Sequence, residues 1–453
     1  MSNRLWFEQA LLPGGWAENV RITIESGLIA RIETAATRTA HDDAHAIAIA
    51  GLPNLHSHAF QRAMAGLAEV RGPENDSFWT WRELMYRFVA ELDPDRFEAI
   101  AAMAFAEMLE SGFTRVGEFH YLHHAPDGAP YADPAEMSAR VAAAAAQTGI
   151  GLTLLPVFYA HSAFGGAEAK PGQRRFIHSV DSFARLLDRA REAVSNLGDA
   201  VVGVAPHSLR AVTADELTEV ARLAGNAPVH IHIAEQTREV DDCIAWSGRR
   251  PVEWLLANAD VSAQWCLVHA THMTDAETRA LARSSAVAGL CPITEANLGD
   301  GIFPATEFFA AGGRFGVGSD SNVLIDAAEE LRLLEYGQRL TRRGRNILAS
   351  AEGLSSGGEL FRKAVSGGAQ ALGIRDAGLQ EDASADIVSL DPQHAALASR
   401  RGDEILDSLV FAARGGAIDC VWRGGRKFVE KGRHVARERI VERYRDALSA
   451  VRT

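Results

Sequence analysis

The hydrophobic positions of this chain fall into two rhythms. Near the start, Asn19-Val20-Arg21-Ile22-Thr23-Ile24 alternates polar with apolar, Ser26-Gly27 offers a turn, and Leu28-Ile29-Ala30-Arg31-Ile32 follows. Period-two alternation broken by a turn is the signature of half-buried strands. The same rhythm returns only near the other end, in Ala385-Asp386-Ile387-Val388-Ser389-Leu390 and in the stretch from Ile418 to Val429, where Gly424-Gly425 turns the chain. Matching patterns so far apart predict a small β-sandwich domain built from both termini, over 1–50 and 382–440, with a C-terminal helix over 441–453.

Between them the rhythm changes. Over 51–381, short apolar runs alternate with stretches of good helix formers. Strands are predicted at 52–58, 115–120, 151–159, 201–207, 229–234, 265–270, 287–292 and 314–320, and helices include 96–110, 179–195, 214–223 and 275–283. Eight strand–helix units predict an α/β fold, a (β/α)8 TIM barrel, whose site lies where the C-terminal ends of the strands meet. The competing architecture, a doubly wound open sheet, would be marked by G-x-G-x-x-G after the first strand, and none is there. The most apolar window, 141–160, is broken by Gln147, Gly149, Gly151 and Pro156, so it reads as a helix ending at Gly149 and a following strand rather than a membrane span. Residues 73–81 and 161–175 read as long loops that could cover the barrel mouth.

Composition narrows the class of partner. The 453 residues are 47% hydrophobic and 23% charged, with net charge −13. That balance suits a soluble globular protein and opposes a large footprint on nucleic acid or an anionic membrane. It leaves room for a small anionic ligand held by one or two local arginines. Cys243, Cys266, Cys291 and Cys420 show no C-x-x-C spacing, which fits a reducing cytoplasm and excludes a zinc ribbon or redox motif. The opening residues have no basic start followed by an apolar stretch, so no signal peptide is expected.

The candidate chemistry sits at the ends of the predicted barrel strands. In Asn54-Leu55-His56-Ser57-His58, two imidazoles share one strand face and can hold one ion. His-x-His alone is ordinary in a chain with 16 histidines. Its weight comes from His230-Ile231-His232-Ile233-Ala234-Glu235, Leu267-Val268-His269 and Gly318-Ser319-Asp320, each placing a ligand or acid/base residue after an apolar run. His230 and His232 lie on the same face. The position nearer the strand's C-terminal end favours His232. Three neutral imidazoles and the Asp320 carboxylate suit one Zn²⁺, with Fe²⁺ as a substitute, and leave a place for water, whose pKa zinc lowers to about 7. Glu235, three residues past His232, is placed to carry protons.

The set His56-Ser57-His58, His232 with Glu235, His269 and Ser319-Asp320 resembles the amidohydrolase superfamily in its mononuclear deaminase branch, along nearly the whole chain. Binuclear members carry a lysine at the end of the fourth strand. Here that strand ends Ala205-Pro206-His207-Ser208-Leu209-Arg210, so the resemblance implies a single metal on His56, His58, His232 and Asp320, with His269 free for acid/base work rather than coordination and the ligand Asp320 sharing in proton transfer beside Glu235. Phe78-Trp79-Thr80-Trp81-Arg82, Glu118-Phe119-His120-Tyr121 and the His207–Arg210 stretch resemble branch members that act on a linear amidine. That likeness implies hydrolysis of N-formimidoyl-L-glutamate to N-formyl-L-glutamate and ammonia in histidine breakdown, with Gln61, Arg82, Tyr121, His207 and Arg210 on the substrate. Guanidinium forks suit a dicarboxylate, because arginine offers bidentate contacts that lysine cannot. The competing activities are deamination of a nucleobase or nucleoside and dechlorination of a triazine; a barrel that binds a ligand without turnover stands further off. Since such barrels often pair, a homodimer is expected.

Overall fold

The computed structural model describes residues 3–72, 77–375 and 377–451; residues 1–2 of the N-terminal stretch, 73–76 of the expected 73–81 loop, and 452–453 at the chain's end lie outside the described residues. The chain opens with β1 (Asn3–Leu12), β2 (Gly15–Glu25), β3 (Leu28–Glu33) and β4 (Asp43–Ala50). β1, β2 and β3 pair antiparallel in sequence and β4 runs parallel to β1. Leu5, Phe7, Val20 and Ile22 alternate inward and are fully buried, as the period-two pattern requires. Only Gly51 separates β4 from β5 (Leu52–Ser57), the first barrel strand and the carrier of His56.

The barrel continues through β6 (Phe113–His120), β7 (Gly151–Phe158), β8 (Val201–Val202), β9 (Ala205–Pro206), β10 (Val229–Ile233), β11 (Trp265–His269), β12 (Val287–Leu290) and β13 (Arg314–Val317). The strands are parallel and ordered β10-β11-β12-β13-β5-β6-β7-β8, with β9 also on β7. The ring closes where Val204 and Ser208 bridge to Val229 and His232. The fourth strand, expected to be continuous over 201–207, is split into β8 and β9. Gly203 lies at the break, where a Cβ would sit 2.5 Å from the Pro228 carbonyl oxygen. The chain there needs a glycine to pass this close to its neighbour.

Helix boundaries follow their caps. Thr213 and Glu216 form a capping box on helix Ala214–Leu223, as Thr274 and Glu277 do on Asp275–Arg283, so both helices start at the residue predicted. Helix Glu136–Thr148 stops at Gly149, whose φ of 79° is left-handed, and β7 begins two residues on. Residues 78–81, expected as loop, instead open helix Phe78–Ala90, which covers part of the barrel mouth. No helix of the described residues is long and apolar enough to cross a membrane.

After the barrel come β14 (Ile387–Leu390), β15 (Ile418–Arg423), β16 (Arg426–Glu430) and β17 (Arg433–His434). They join the first four strands in one sheet, ordered β17-β16-β15-β14-β4-β1-β2-β3. The two layers expected of a sandwich are halves of this one curled sheet, for Leu28 at the start of β3 bridges to Ser384 just ahead of β14. The last helix, Arg437–Val451, lies on helix Pro94–Glu110 through Arg437–Glu110 (2.7 Å) and Arg443–Glu98 (3.0 Å) ion pairs.

The barrel floor is closed by the C-terminal end of helix Ser356–Ala371. Leu372 is fully buried, Thr153 Oγ1 donates to its carbonyl (3.0 Å), and His230 Nε2 donates to the Ala371 carbonyl (2.7 Å). The helix can come this close because Gly367 and Gly368 face the strands. A Cβ on Gly367 would lie 1.9 Å from the Phe315 carbonyl oxygen. Gly367→Ala therefore has no relaxed packing solution and should cost about 1–3 kcal/mol. Thermal denaturation should show an apparent Tm several degrees lower, and an unshifted Tm would mean the helix is free to move off the sheet.

Candidate metal and catalytic site

At the C-terminal mouth of the barrel, side chains from distant strands come together. The Nε2 atoms of His56 and His232 are 3.0 Å apart, and Asp320 Oδ1 lies 3.5 Å from His56 Nε2 and 3.3 Å from His58 Nε2. Four donors at bond lengths of about 2.0–2.1 Å around a tetrahedral ion stand about 3.3 Å from each other, so these spacings fit a single small divalent cation. The far sides of two rings are tied down: His58 Nδ1 donates to the Phe119 carbonyl (2.9 Å) and His232 Nδ1 to the His207 carbonyl (3.1 Å). Each bond fixes the tautomer that turns the Nε2 lone pair to the common centre. His230, the other candidate on β10, points to the barrel floor instead.

Local backbone geometry aims these groups. β5 loses register against β6 between Asn54 and Ser57, an irregularity that turns the His56–His58 segment at the strand end. Ala234, His269, Ala270, Asp320 and Asn322 all have positive φ, between 45° and 67°, although none is glycine. Such conformations are uncommon and persist where surrounding bonds hold them. Around Asp320 those bonds are visible. Asp320 N donates to the His56 carbonyl (3.0 Å) and His58 N to the Asp320 carbonyl (2.9 Å). Asn54 Nδ2 donates to Ser319 Oγ (2.7 Å), Ser319 Oγ to Asn322 Oδ1 (2.6 Å), and Asn322 Nδ2 to the His58 carbonyl (3.0 Å). Asn54, Ser319 and Asn322 escaped the sequence reading as functional groups; the signal was present only as small polar residues flanking His56 and Asp320.

Burial sets the charge states. It holds His56 down at about 3 and lowers His58 and His232 as well, keeping all three imidazoles neutral, the form that binds metal. Burial would raise Asp320, but the close approach of His56, with His58 and the cationic His269, keeps its carboxyl below the usual range. His269 behaves oppositely to the other three. Burial would lower it, yet Glu235, Glu295 and Asp320 surround it and push it up to about 10. Its Nδ1 donates to Glu295 Oε1 (3.3 Å), and its Nε2 lies 3.7 Å from Asp320 Oδ2 and 3.9 Å from Glu235 Oε1. Glu295, another residue missed in the sequence, accepts from Cys291 N (3.0 Å) and so is rigidly held behind His269. Glu235 is raised to about 7, chiefly by burial, and Glu239 accepts from the Ala234 and Glu235 backbone N–H groups (3.2 and 3.1 Å) to hold its loop.

The cavity above these groups is lined by Gln61, Arg82, Tyr121, His207 and Arg210 together with aromatic walls from Phe78, Trp81, Tyr86, Tyr159 and Phe176. All five expected substrate residues thus face one space. Gln61 Nε2 donates to the Tyr121 hydroxyl (2.8 Å), and its Oε1 is buried without a hydrogen-bond partner. Arg82 and Arg210 each bury an Nε that has no partner. The surface ion pairs that would make these arginines ordinary are absent: among the described residues Arg210 has only Glu235, at 4.0 Å, and Arg82 has none.

The chain belongs to the amidohydrolase family, whose model matches residues 47–428. Residues 5–46 match the model for the N-terminal domain of formimidoylglutamate deiminase HutF. The chain is 53% identical over 437 residues, 96% of each sequence, to the formimidoylglutamate deiminase of Pseudomonas aeruginosa. A crystal structure of an amidohydrolase from Brucella melitensis is 57% identical, with TM-score 0.97 over 99% of both chains. A 5-methylthioadenosine/S-adenosylhomocysteine deaminase of Natronomonas pharaonis is 27% identical over 90% of this chain and 87% of its own length. At 20% identity, an adenosine deaminase from Xanthomonas campestris with bound zinc shares the fold (TM-score 0.80, 99% of this chain and 98% of its own). The protein is accordingly a hydrolase of carbon–nitrogen bonds, and its His-rich cluster fits the metal dependence of the family.

The Asn322 amide ties the two strand ends that present three of the four donors, His56, His58 and Asp320, so its loss should act on metal without touching it. Asn322→Ala should weaken metal retention by about 10–100-fold, read by elemental analysis after competition with a chelator of known affinity. Wild-type retention would show that the network is incidental to the cluster.

Proposed function

We infer that this protein hydrolyses N-formimidoyl-L-glutamate to N-formyl-L-glutamate and ammonia, using one Zn²⁺, or Fe²⁺ in its place, on His56, His58, His232 and Asp320. The observation that carries this reading is the pairing of that donor cluster with two arginines whose Nε atoms are buried without hydrogen-bond partners, in a single cavity. A nucleobase has no carboxylate to satisfy them, whereas the glutamate part of this substrate has two. The 53% identity to a formimidoylglutamate deiminase and the matching N-terminal model support the same substrate. Four buried free cysteines support a reducing, cytoplasmic setting.

A bound divalent cation supplies Lewis acidity and makes water a nucleophile at neutral pH. The protein's own groups then divide the proton work. His269 Nε2 and Asp320 Oδ2 face each other at 3.7 Å: the His269 imidazolium orients the attacking water, and the Asp320 carboxylate takes its proton as oxygen bonds to the formimidoyl carbon. Glu235, whose Oε1 lies 3.9 Å from His269 Nε2 in the same cavity, carries this proton and then the one from the intermediate's hydroxyl to the departing nitrogen. The carbon–nitrogen bond breaks, ammonia leaves and the hydroxyl oxygen becomes the formyl oxygen. Gln61, with its Oε1 unbonded, accepts from the amidine N–H, while Arg82 and Arg210 hold the carboxylates. Tyr121 and His207 shape the wall between the two ends.

Ammonia release measured on N-formimidoyl-L-glutamate, adenosine, guanine and cytosine, and chloride release on a chlorotriazine, should favour the first by at least about a thousandfold in kcat/KM; any of the others preferred over it would refute the assignment. Glu235→Gln should keep its metal yet lose about 10²–10⁴-fold in kcat. Should that variant turn over normally, proton delivery belongs to another group. Arg210→Met should raise KM for the dicarboxylate by at least about tenfold with metal content unchanged.

A further inference from the structure

Three guanidinium groups converge on one indole at the edge of the cavity. The Cζ atoms of Arg82, Arg238 and Arg210 lie 4.5, 4.9 and 5.6 Å from the ring centroid of Trp79. They come from separate places in the chain: Arg82 from the mouth helix Phe78–Ala90, Arg210 from the segment after β9, and Arg238 from helix Thr237–Ser247. Like charges gathered so closely repel. The negative face of an indole is the best aromatic partner for cations and offsets part of that repulsion. Carboxylates stand beside two of the three: Arg238 has Asp242 at 3.7 Å, and Glu239 and Glu235, the latter at 4.0 Å, act on Arg210. Arg82 has no ion pair among the described residues, and it lines the cavity together with Arg210.

Trp79 itself does not line that cavity; it stands behind the arginines that do. A guanidinium lying on a ring face keeps its N–H edge free, and that edge is what a carboxylate engages bidentately. We propose that Trp79 is a positioning residue for carboxylate recognition: its indole sets the planes of Arg82 and Arg210 before substrate arrives, while Arg238 adds a third, solvent-facing cation that draws the anion in. The inference rests on the reading that the substrate is a dicarboxylate. It assigns Trp79 no contact with the reacting atoms, so its loss should spare the chemical step.

The test compares Trp79→Leu, which keeps apolar bulk without a π face, with Trp79→Phe, which keeps a ring. Both are measured in the full-length, metal-loaded enzyme with N-formimidoyl-L-glutamate and with formamidine, which has no carboxylate. Trp79→Leu should raise KM for the dicarboxylate at least tenfold, with kcat within threefold of wild type and kcat/KM for formamidine within twofold. Trp79→Phe should recover most of the loss. Arg238→Ala should lower kcat/KM for the dicarboxylate by two- to fivefold at low ionic strength, a difference that fades in 0.5 M salt. A dicarboxylate KM within twofold of wild type in Trp79→Leu, or equal losses on both substrates, overturns the proposal. Calorimetric titration with glutarate, an inert dicarboxylate, separates this idea from the activity it rests on. If wild type releases no ammonia from N-formimidoyl-L-glutamate, a tenfold weaker glutarate affinity in Trp79→Leu still supports the platform. An unchanged affinity, or no glutarate binding by wild type, overturns it.

Discussion

The structure depends on the meeting of two strand ends that are more than 250 residues apart in the chain. His56 and His58 leave β5 where Asp320 follows β13, and reciprocal backbone hydrogen bonds between these segments close the donor cluster. The arrangement, with His232 from β10, places four side chains able to ligate a metal in a space almost without solvent. Uncharged imidazoles tolerate that burial better than any other basic group, and one ionised carboxylate is held by its neighbours. Each element farther out, from the glycine-paired floor helix to the Asn54–Ser319–Asn322 amide chain, keeps that meeting point from relaxing.

The cavity above is built on unequal terms. Its floor is polar and His-rich, its walls aromatic, and its outer side carries the guanidinium groups of Arg82 and Arg210. In a chain of net charge −13, two cations facing one cavity reverse the prevailing sign locally.

Much of this was legible because it is written locally. The terminal strands alternate with a period of two residues, the barrel strands are short apolar runs, and capping boxes such as Thr213–Glu216 mark where helices begin. His-x-His on β5 and an acid after β13 are short signals tied to a general rule, that strand ends carry the chemistry in this fold. What stayed hidden is long-range. The split of the fourth strand answers to Pro228 pressing on Gly203. Asn54 and Asn322 are unremarkable polar residues until Ser319 joins them, and Glu295 is one glutamate among many until His269 leans on it. The choice between His230 and His232 turned only on which end of β10 faces the mouth. That the two layers are halves of one curled sheet also depends on a remote bridge, Leu28 to Ser384.

Gly51 alone connects the terminal sheet to the first ligand-bearing strand. So short a joint transmits displacement rather than absorbing it. A tilt of β4 would be felt at His56, six positions past its last residue, as a lever moves its far arm. The outer sheet, though it supplies none of the donor atoms, thereby acts as the mounting plate of the His-rich cluster.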